Sequence, residues 1–134
     1  MSNFVLIEPE YSKVPDVLLS LVQGFADSLE YERLNETERR LPGVVAAAFS
    51  RFLVRFQDAE VRDGLADRDA RTLADAYRAL EVLAGRQDEQ VNTLVQDEIF
   101  DNIRASDGTW RVIESRFGPE SKELFEEWRK KNPR

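Results

Sequence analysis

The chain contains no cysteine and no histidine. Their absence removes thiol nucleophiles, disulfides, imidazole acid–base catalysis and the usual Cys/His zinc sites, and with them most common hydrolase mechanisms. Long apolar runs are missing as well. The stretch "FVLI" at residues 4–7 stops at Glu8, and no run elsewhere approaches the ~18 residues of a membrane span. With no basic segment ahead of those four residues the N-terminus has no signal-peptide pattern, so a cytoplasmic location is expected and no membrane contact. No glycine-rich phosphate loop and no nucleophile elbow occurs. Positive charge is scarce: 19 Lys and Arg stand against 26 Asp and Glu, a net charge of −7. Nucleic-acid binding needs a clustered basic patch that displaces counterions, and this balance opposes it. A protein partner with a basic surface is the better match.

What is present is a folded chain. Charged residues make up 34%, above the usual quarter, yet 42% hydrophobic content is too high for disorder. The 134 residues suit one domain spanning 1–134, large enough to bury a core without metals or disulfides. Residues 1–12 read either as an extended arm laid on that core or as a poorly ordered one. After residue 10 there is no alternating strand pattern and no internal repeat, while 3.6-residue stripes succeed one another. An all-α, compact helical bundle of about five to six helices follows, joined by mostly short connections.

The stripe Val14, Val17, Leu18, Leu21, Val22, Phe25 and Leu29 predicts a first helix, with Ser12 as its cap and Pro15 in its first turn. Residues 31–41 are highly charged and read as a loop with a helical turn, closed by Pro42-Gly43. From Val44, the positions Val45, Phe49, Phe52, Leu53 and Phe56 predict a second helix at the centre of the core, with Arg51 and Arg55 turned away. Leu73, Ala76, Tyr77, Leu80, Leu83 and Ala84 predict a third, capped at its end by Gly85. Asp88 can cap a fourth helix running to about Arg104. Ser106 or Asp107 can cap a fifth through Trp110, Ile113 and Phe117, both tryptophans being read as core. Gly118-Pro119 then starts a last helix docked by Leu124, Phe125 and Trp128, with acids early and lysines late as the helix dipole favours.

The fourth helix carries the functional interest. Its stretch "VQDEIFDNI", residues 95–103, sets three carboxylates and an asparagine among apolar residues. At about 100° per residue, Glu98 and Asn102 project into the stripe of Val91, Leu94, Val95, Ile99 and Ile103, with Asp97 and Asp101 beside it. Asp88, Glu89, Asp97, Glu98 and Asp101 face a single arginine, Arg104, so pairing within the helix cannot neutralise them. These five acids are the candidate partner-binding residues, and Asp58, Glu60, Asp63, Asp67 and Asp69 would extend the surface if the loop after the second helix packs nearby. No catalytic residue, cofactor site or metal site is assigned, and the protein is read as not an enzyme.

Two alternatives stand beside docking. Carboxylates at i, i+3, Glu98/Asp101 and Glu60/Asp63, could hold magnesium in an all-α nucleotide hydrolase. A pyrophosphatase like the MazG family would show ExxE followed by ExxD, whereas here the ExxE of Glu123/Glu126 comes after both ExxD pairs, so that pattern fails. The same acidity would also suit a regulatory adaptor. The fourth helix, "EQVNTLVQDEIFDNI", resembles a helix of the small all-helical immunity proteins of bacterial polymorphic toxin systems. The similarity extends to "LADAYRALEVLAGRQDE" before it and to "FGPESKELFEEW" near the C-terminus, over residues 70–128. It implies a cytoplasmic protein that binds one cognate toxin domain and blocks its active site or substrate access, with Asp101 and Asn102 matching the polar pair of that helix. The added Asp97-Glu98 acids and the charged 31–41 segment depart from it.

Overall fold

The computed structural model describes residues 11–132. Among these residues there are seven α-helices and no strand, an all-α bundle as the stripes predict. The helices are α1 (Val14–Leu21), α2 (Leu29–Glu32), α3 (Pro42–Asp63), α4 (Asp67–Ala84), α5 (Glu89–Leu94), α6 (Asp107–Arg116) and α7 (Pro119–Lys131). Tight 3₁₀ turns occupy Tyr11–Lys13, Glu38–Arg40 and Phe100–Asn102, and a π turn occupies Val95–Ile99. Most of the expected N-terminal arm lies outside the described residues; its last two, Tyr11 and Ser12, belong to a 3₁₀ turn.

Helix α3 is the axis. Val45, Ala46, Ala48, Phe49, Ser50, Phe52, Leu53 and Gln57 are all buried, more than one stripe of a helix can account for. It accordingly packs against α1, α2, α4, α5, the π turn and α6. Two aromatic clusters fill the core. Phe25 is the hub of the first, with ring centroids 5.8 Å from Phe49, 5.3 Å from Phe52 and 5.4 Å from Tyr31. The second joins the 3₁₀ turn to α6 and α7: Phe100 lies 5.4 Å from Phe125 and 6.1 Å from Trp128, and Trp110 stacks on Trp128 at 6.4 Å.

Buried polar groups are tied across elements, as their desolvation requires. Fully buried Gln57 accepts from the Tyr77 hydroxyl at 2.8 Å and donates to Glu60 at 2.8 Å, while Arg116 donates to Glu60 at 3.1 Å, linking α3, α4 and α6. Burial, more than any neighbouring charge, pushes the Tyr77 hydroxyl well above its ordinary range. Arg55 meets Glu30 through two bonds of 2.8 and 2.9 Å and fastens α2 to α3. Burial alone would raise the Glu30 carboxyl, but its bonds and charge contact with Arg55 outweigh that and hold it low.

Glu81 of α4 does for α7 what a local cap does elsewhere. One carboxylate oxygen accepts the Glu120 amide at 2.8 Å; the other accepts the Ser121 amide at 2.9 Å and its hydroxyl at 2.7 Å. Gly118 makes room for it, because a Cβ there would stand 2.5 Å from the Glu81 carboxyl carbon. Burial pushes the Glu81 carboxyl up, and the three hydrogen bonds together reverse this and leave it below the usual 4.5.

Three sequence expectations are corrected. The first helix does not run to Leu29: it ends at Leu21, Val22 turns extended, and Gly24 adopts φ 88°, a left-handed conformation that breaks the helix. Ser28 then caps a separate α2, accepting from the Tyr31 amide at 3.2 Å. Val22 and Phe25 still reach the core through this turn, whereas Leu29 is 55% exposed. Nor does Ser12 cap α1; the cap position is Lys13, which makes no side-chain cap bond. The fourth helix is capped by Asp88 as expected, yet after Leu94 it changes to a π turn and then a 3₁₀ turn instead of continuing as α-helix to Arg104.

Two outcomes test this construction. Phe52→Ala should cost about 3–5 kcal/mol in chemical denaturation, leaving a large cavity against Phe25 and Phe49, and a loss under ~1 kcal/mol would remove Phe52 from the core. Glu81→Ala should cost about 1–2 kcal/mol at neutral pH. Since the folded carboxyl titrates below 4.5, its contribution is complete above that pH and fades as pH falls through the lowered value. The gap between variant and wild type should therefore close in acid, and a pH-independent gap would show that the carboxylate charge plays no part.

Candidate functional site

The segment from Glu89 to Asn102 holds four of the five candidate acids, and Asp88 caps it. A π turn carries one more residue per turn than an α-helix, so whatever follows it is rotated back by about 100°. That rotation brings Phe100 into the second aromatic cluster. Gln96, inside the turn, is buried, and its Oε1 accepts from Lys131 at 3.3 Å. The rotation also leaves carbonyls without their helical partners. Ser50, fully buried on α3, donates to the Ile99 carbonyl at 2.7 Å, and the Asn102 amide donates to the Glu98 carbonyl at 2.7 Å. Asn102 is thus held by the Glu98 backbone and serves the turn itself.

The five acids do not form one patch. Glu89, Asp97 and Glu98 line a hollow of about 480 Å³ with Tyr11, Thr93 and Leu94. Glu98 and Tyr11 also line a second hollow of about 460 Å³ together with Leu41, Pro42, Gly43, Val44, Ala47 and Arg51. The two hollows meet at this pair. The Glu98 carboxylate lies against Gly43 in the first turn of α3, where a Cβ would be 3.5 Å from its atoms, and the positive end of the α3 dipole favours it there. Asp88 belongs elsewhere: its Oδ1 accepts the Val91 amide at 3.1 Å, and with Glu89 it borders a hollow of about 380 Å³ alongside Glu120, Glu123 and Glu127. Asp101 faces a third direction, accepting the Trp128 indole N–H at 3.1 Å beside Trp110 and Arg104.

Some acids are occupied internally and others are not. Glu30, Glu60, Glu81 and Glu114 bind Arg55, Arg116, the α7 amides and Arg129. The carboxylates of Glu89, Asp97 and Glu98 take no ion pair or hydrogen bond from the described residues, Glu98 being bonded only through its backbone carbonyl. The acids of 58–69 do not extend this surface. Asp58 pairs with Arg62 and receives Thr109, Glu60 pairs with Arg116, and the segment begins some ~22 Å along α3 from Gly43 at 1.5 Å per residue.

Neither ExxD pair forms a cation site. Glu60 is committed to Arg116 and Gln57 while Asp63 ends α3 exposed, and the turn geometry sends Glu98 toward α3 and Asp101 toward Trp128. Among the described residues no group of three or more carboxylates converges closely enough to hold a metal ion. Two sets of residues escaped the sequence reading. Glu120, Glu123 and Glu127 had a signal, their i, i+3, i+7 spacing on one exposed face of α7. Tyr11, Leu41 and Arg51 had none, since only the approach of α3 to the π turn makes them neighbours of Glu98.

No protein-family model matches the chain, and neither a characterised protein nor a solved structure shows significant similarity to it.

Asp97 and Asp101 provide a direct check on these placements. Asp101→Ala should cost about 1 kcal/mol and shift tryptophan emission, because it strips the acceptor from Trp128. Exposed Asp97→Ala should stay within about 0.5 kcal/mol of wild type with unchanged emission. Equal behaviour of the two in thermal melts would contradict the Trp128–Asp101 bond.

Proposed function

We propose that the protein is a non-enzymatic cytoplasmic immunity protein that binds a cognate bacterial toxin domain and neutralises it, meeting a basic toxin surface with the acidic surface of the α5–π segment. The observation that carries this reading is the set Glu89, Asp97 and Glu98, three carboxylates around one hollow that have no ion pair among the described residues, whereas Glu30, Glu60 and Glu114 are each held by an arginine. Like charges gathered without compensation do not help the fold, and a basic partner would supply the compensation. Oriented negative potential also speeds encounter with a positively charged protein, an advantage for an inhibitor that must reach its toxin first. The resemblance of residues 89–103 to immunity-protein helices points the same way.

Within this reading the five candidate acids have separate tasks. Glu89, Asp97 and Glu98 face the partner; Asp88 caps α5 and Asp101 anchors Trp128, so these two shape the surface from within. Exposed Glu120, Glu123 and Glu127 add negative potential on the neighbouring side.

The test is co-expression with the product of the adjacent gene. Growth arrest by that product and rescue by this protein are expected, and so is a salt-dependent complex in stopped-flow association. Reversing Glu89→Lys together with Asp97→Lys should slow association about tenfold and flatten its salt dependence, with the melting temperature unchanged. Rescue and association rates identical to wild type would move docking off the α5–π segment. A neighbour that is neither toxic nor bound would favour an adaptor role for the acidic surface.

A further inference from the structure

We infer that the groove between the first turns of α3 and the α5–π segment receives a helix of the partner, one that carries an apolar ridge bordered by lysines or arginines. This rests on the docking reading and specifies what the partner presents. The two hollows that meet at Tyr11 and Glu98 differ in character along their length: Leu41, Pro42, Val44 and Ala47 line one, while Glu89 and Asp97 flank Leu94 and Thr93 in the other. Leu41 is 47% exposed, a large aliphatic side chain left at the groove's edge. Apolar side chains laid along this groove would bury it, which charge alone would not.

The charge sets the partner's flanks. Glu89, Asp97 and Glu98 stand against a single base, Arg51, around the joined hollows. Glu98 sits at the junction, placed by Gly43 and the α3 N-terminus, so a cationic side chain crossing the groove meets a carboxylate already positioned. The helical form follows from backbone hydrogen bonding. Among the described residues no strand offers an open edge, so an extended peptide would leave its amides and carbonyls unpaired against an apolar floor, whereas a helix satisfies its own.

The experiment uses the full chain and two synthetic probes of equal charge, an amphipathic leucine–lysine helix and an oligolysine, with binding mapped by amide NMR. The amphipathic probe should perturb Leu41, Val44, Ala47, Thr93 and Asp97 and bind about tenfold more tightly than oligolysine. Leu41→Ser should weaken the amphipathic probe several-fold and leave oligolysine unaffected. Serine at this position, the N-cap of α3, favours the helix, so misfolding cannot explain the loss. Equal binding of both probes, or perturbations centred on Ala84–Glu89 and Glu120–Glu127, would overturn the inference while leaving charge-driven docking of a basic toxin intact. Concentration-dependent shifts of the groove amides in the free protein would assign the groove to a second copy, and their perturbation by Phe4→Ser would assign it to the chain's own first residues; either overturns it. A cognate toxin that binds with its contacts mapped elsewhere would do the same, and failure of any basic partner to bind would remove both readings together.

Discussion

Helix α3 is apolar on more sides than one neighbour can cover, and a helix of that kind has to be surrounded. The other elements are arranged by that demand. Helices α1 and α2 cover it near Phe49 and Phe52, α4 lies along it, α6 meets its far end, and the α5–π segment crosses near its start. Alanines at 46 and 48 let neighbours come close, and the few polar side chains facing inward, Ser50 and Gln57, are each bonded to another element. Those bonds fix the register, since sliding a neighbour along α3 would strand a buried hydroxyl or amide.

The crossing of the α5–π segment is where this constraint reaches function. An unbroken α-helix from Glu89 would leave Phe100 off the buried arc; the π turn rotates it into the aromatic cluster of Trp110, Phe125 and Trp128. Ser50 and Asn102 accept the consequence by bonding the carbonyls the turn frees. The same rotation separates acids that a straight helix would align. Asp101 is drawn to the tryptophans, Glu98 is set against the α3 N-terminus, and Asp97 stays in solvent.

Charge pairing completes the division between scaffold and surface. Bonds such as Glu30–Arg55, Glu60–Arg116 and Glu81 to the α7 amides join elements distant in the chain, and each carboxylate so used is committed to the fold. Three carboxylates without an ion pair among the described residues, Glu89, Asp97 and Glu98, lie beside an apolar groove. Acid alone is a general property of this chain; the hollow at exposed Leu29 sets Asp27 and Asp69 beside Arg55 and Arg68, whereas the groove at Leu41 sets Glu89, Asp97 and Glu98 against Arg51, and that imbalance next to an apolar floor is the feature on which a specific protein contact can be built.

Several features were legible in the residues themselves. Periodic stripes located α3, α4, α6 and α7, and Asp88, Ser106 and Pro119 marked helix starts correctly because capping and proline effects act over three or four residues. The stripe through Val22 and Phe25 predicted burial but not the break at Gly24, since a turn can bury the same residues as a helix. The π turn carried no local signal: it answers the packing of Phe100 and the hydroxyl of Ser50, about fifty residues earlier in the chain. For the candidate site, the acid excess of residues 88–101 was visible as composition, whereas the sorting of those acids into cap, anchor and open surface was decided by the fold. Local chemistry determined which segments are helical and what charge they carry; which carboxylates stay free depended on long-range approach, because a partner such as Trp128 or the first turn of α3 is brought near only by burial of the core.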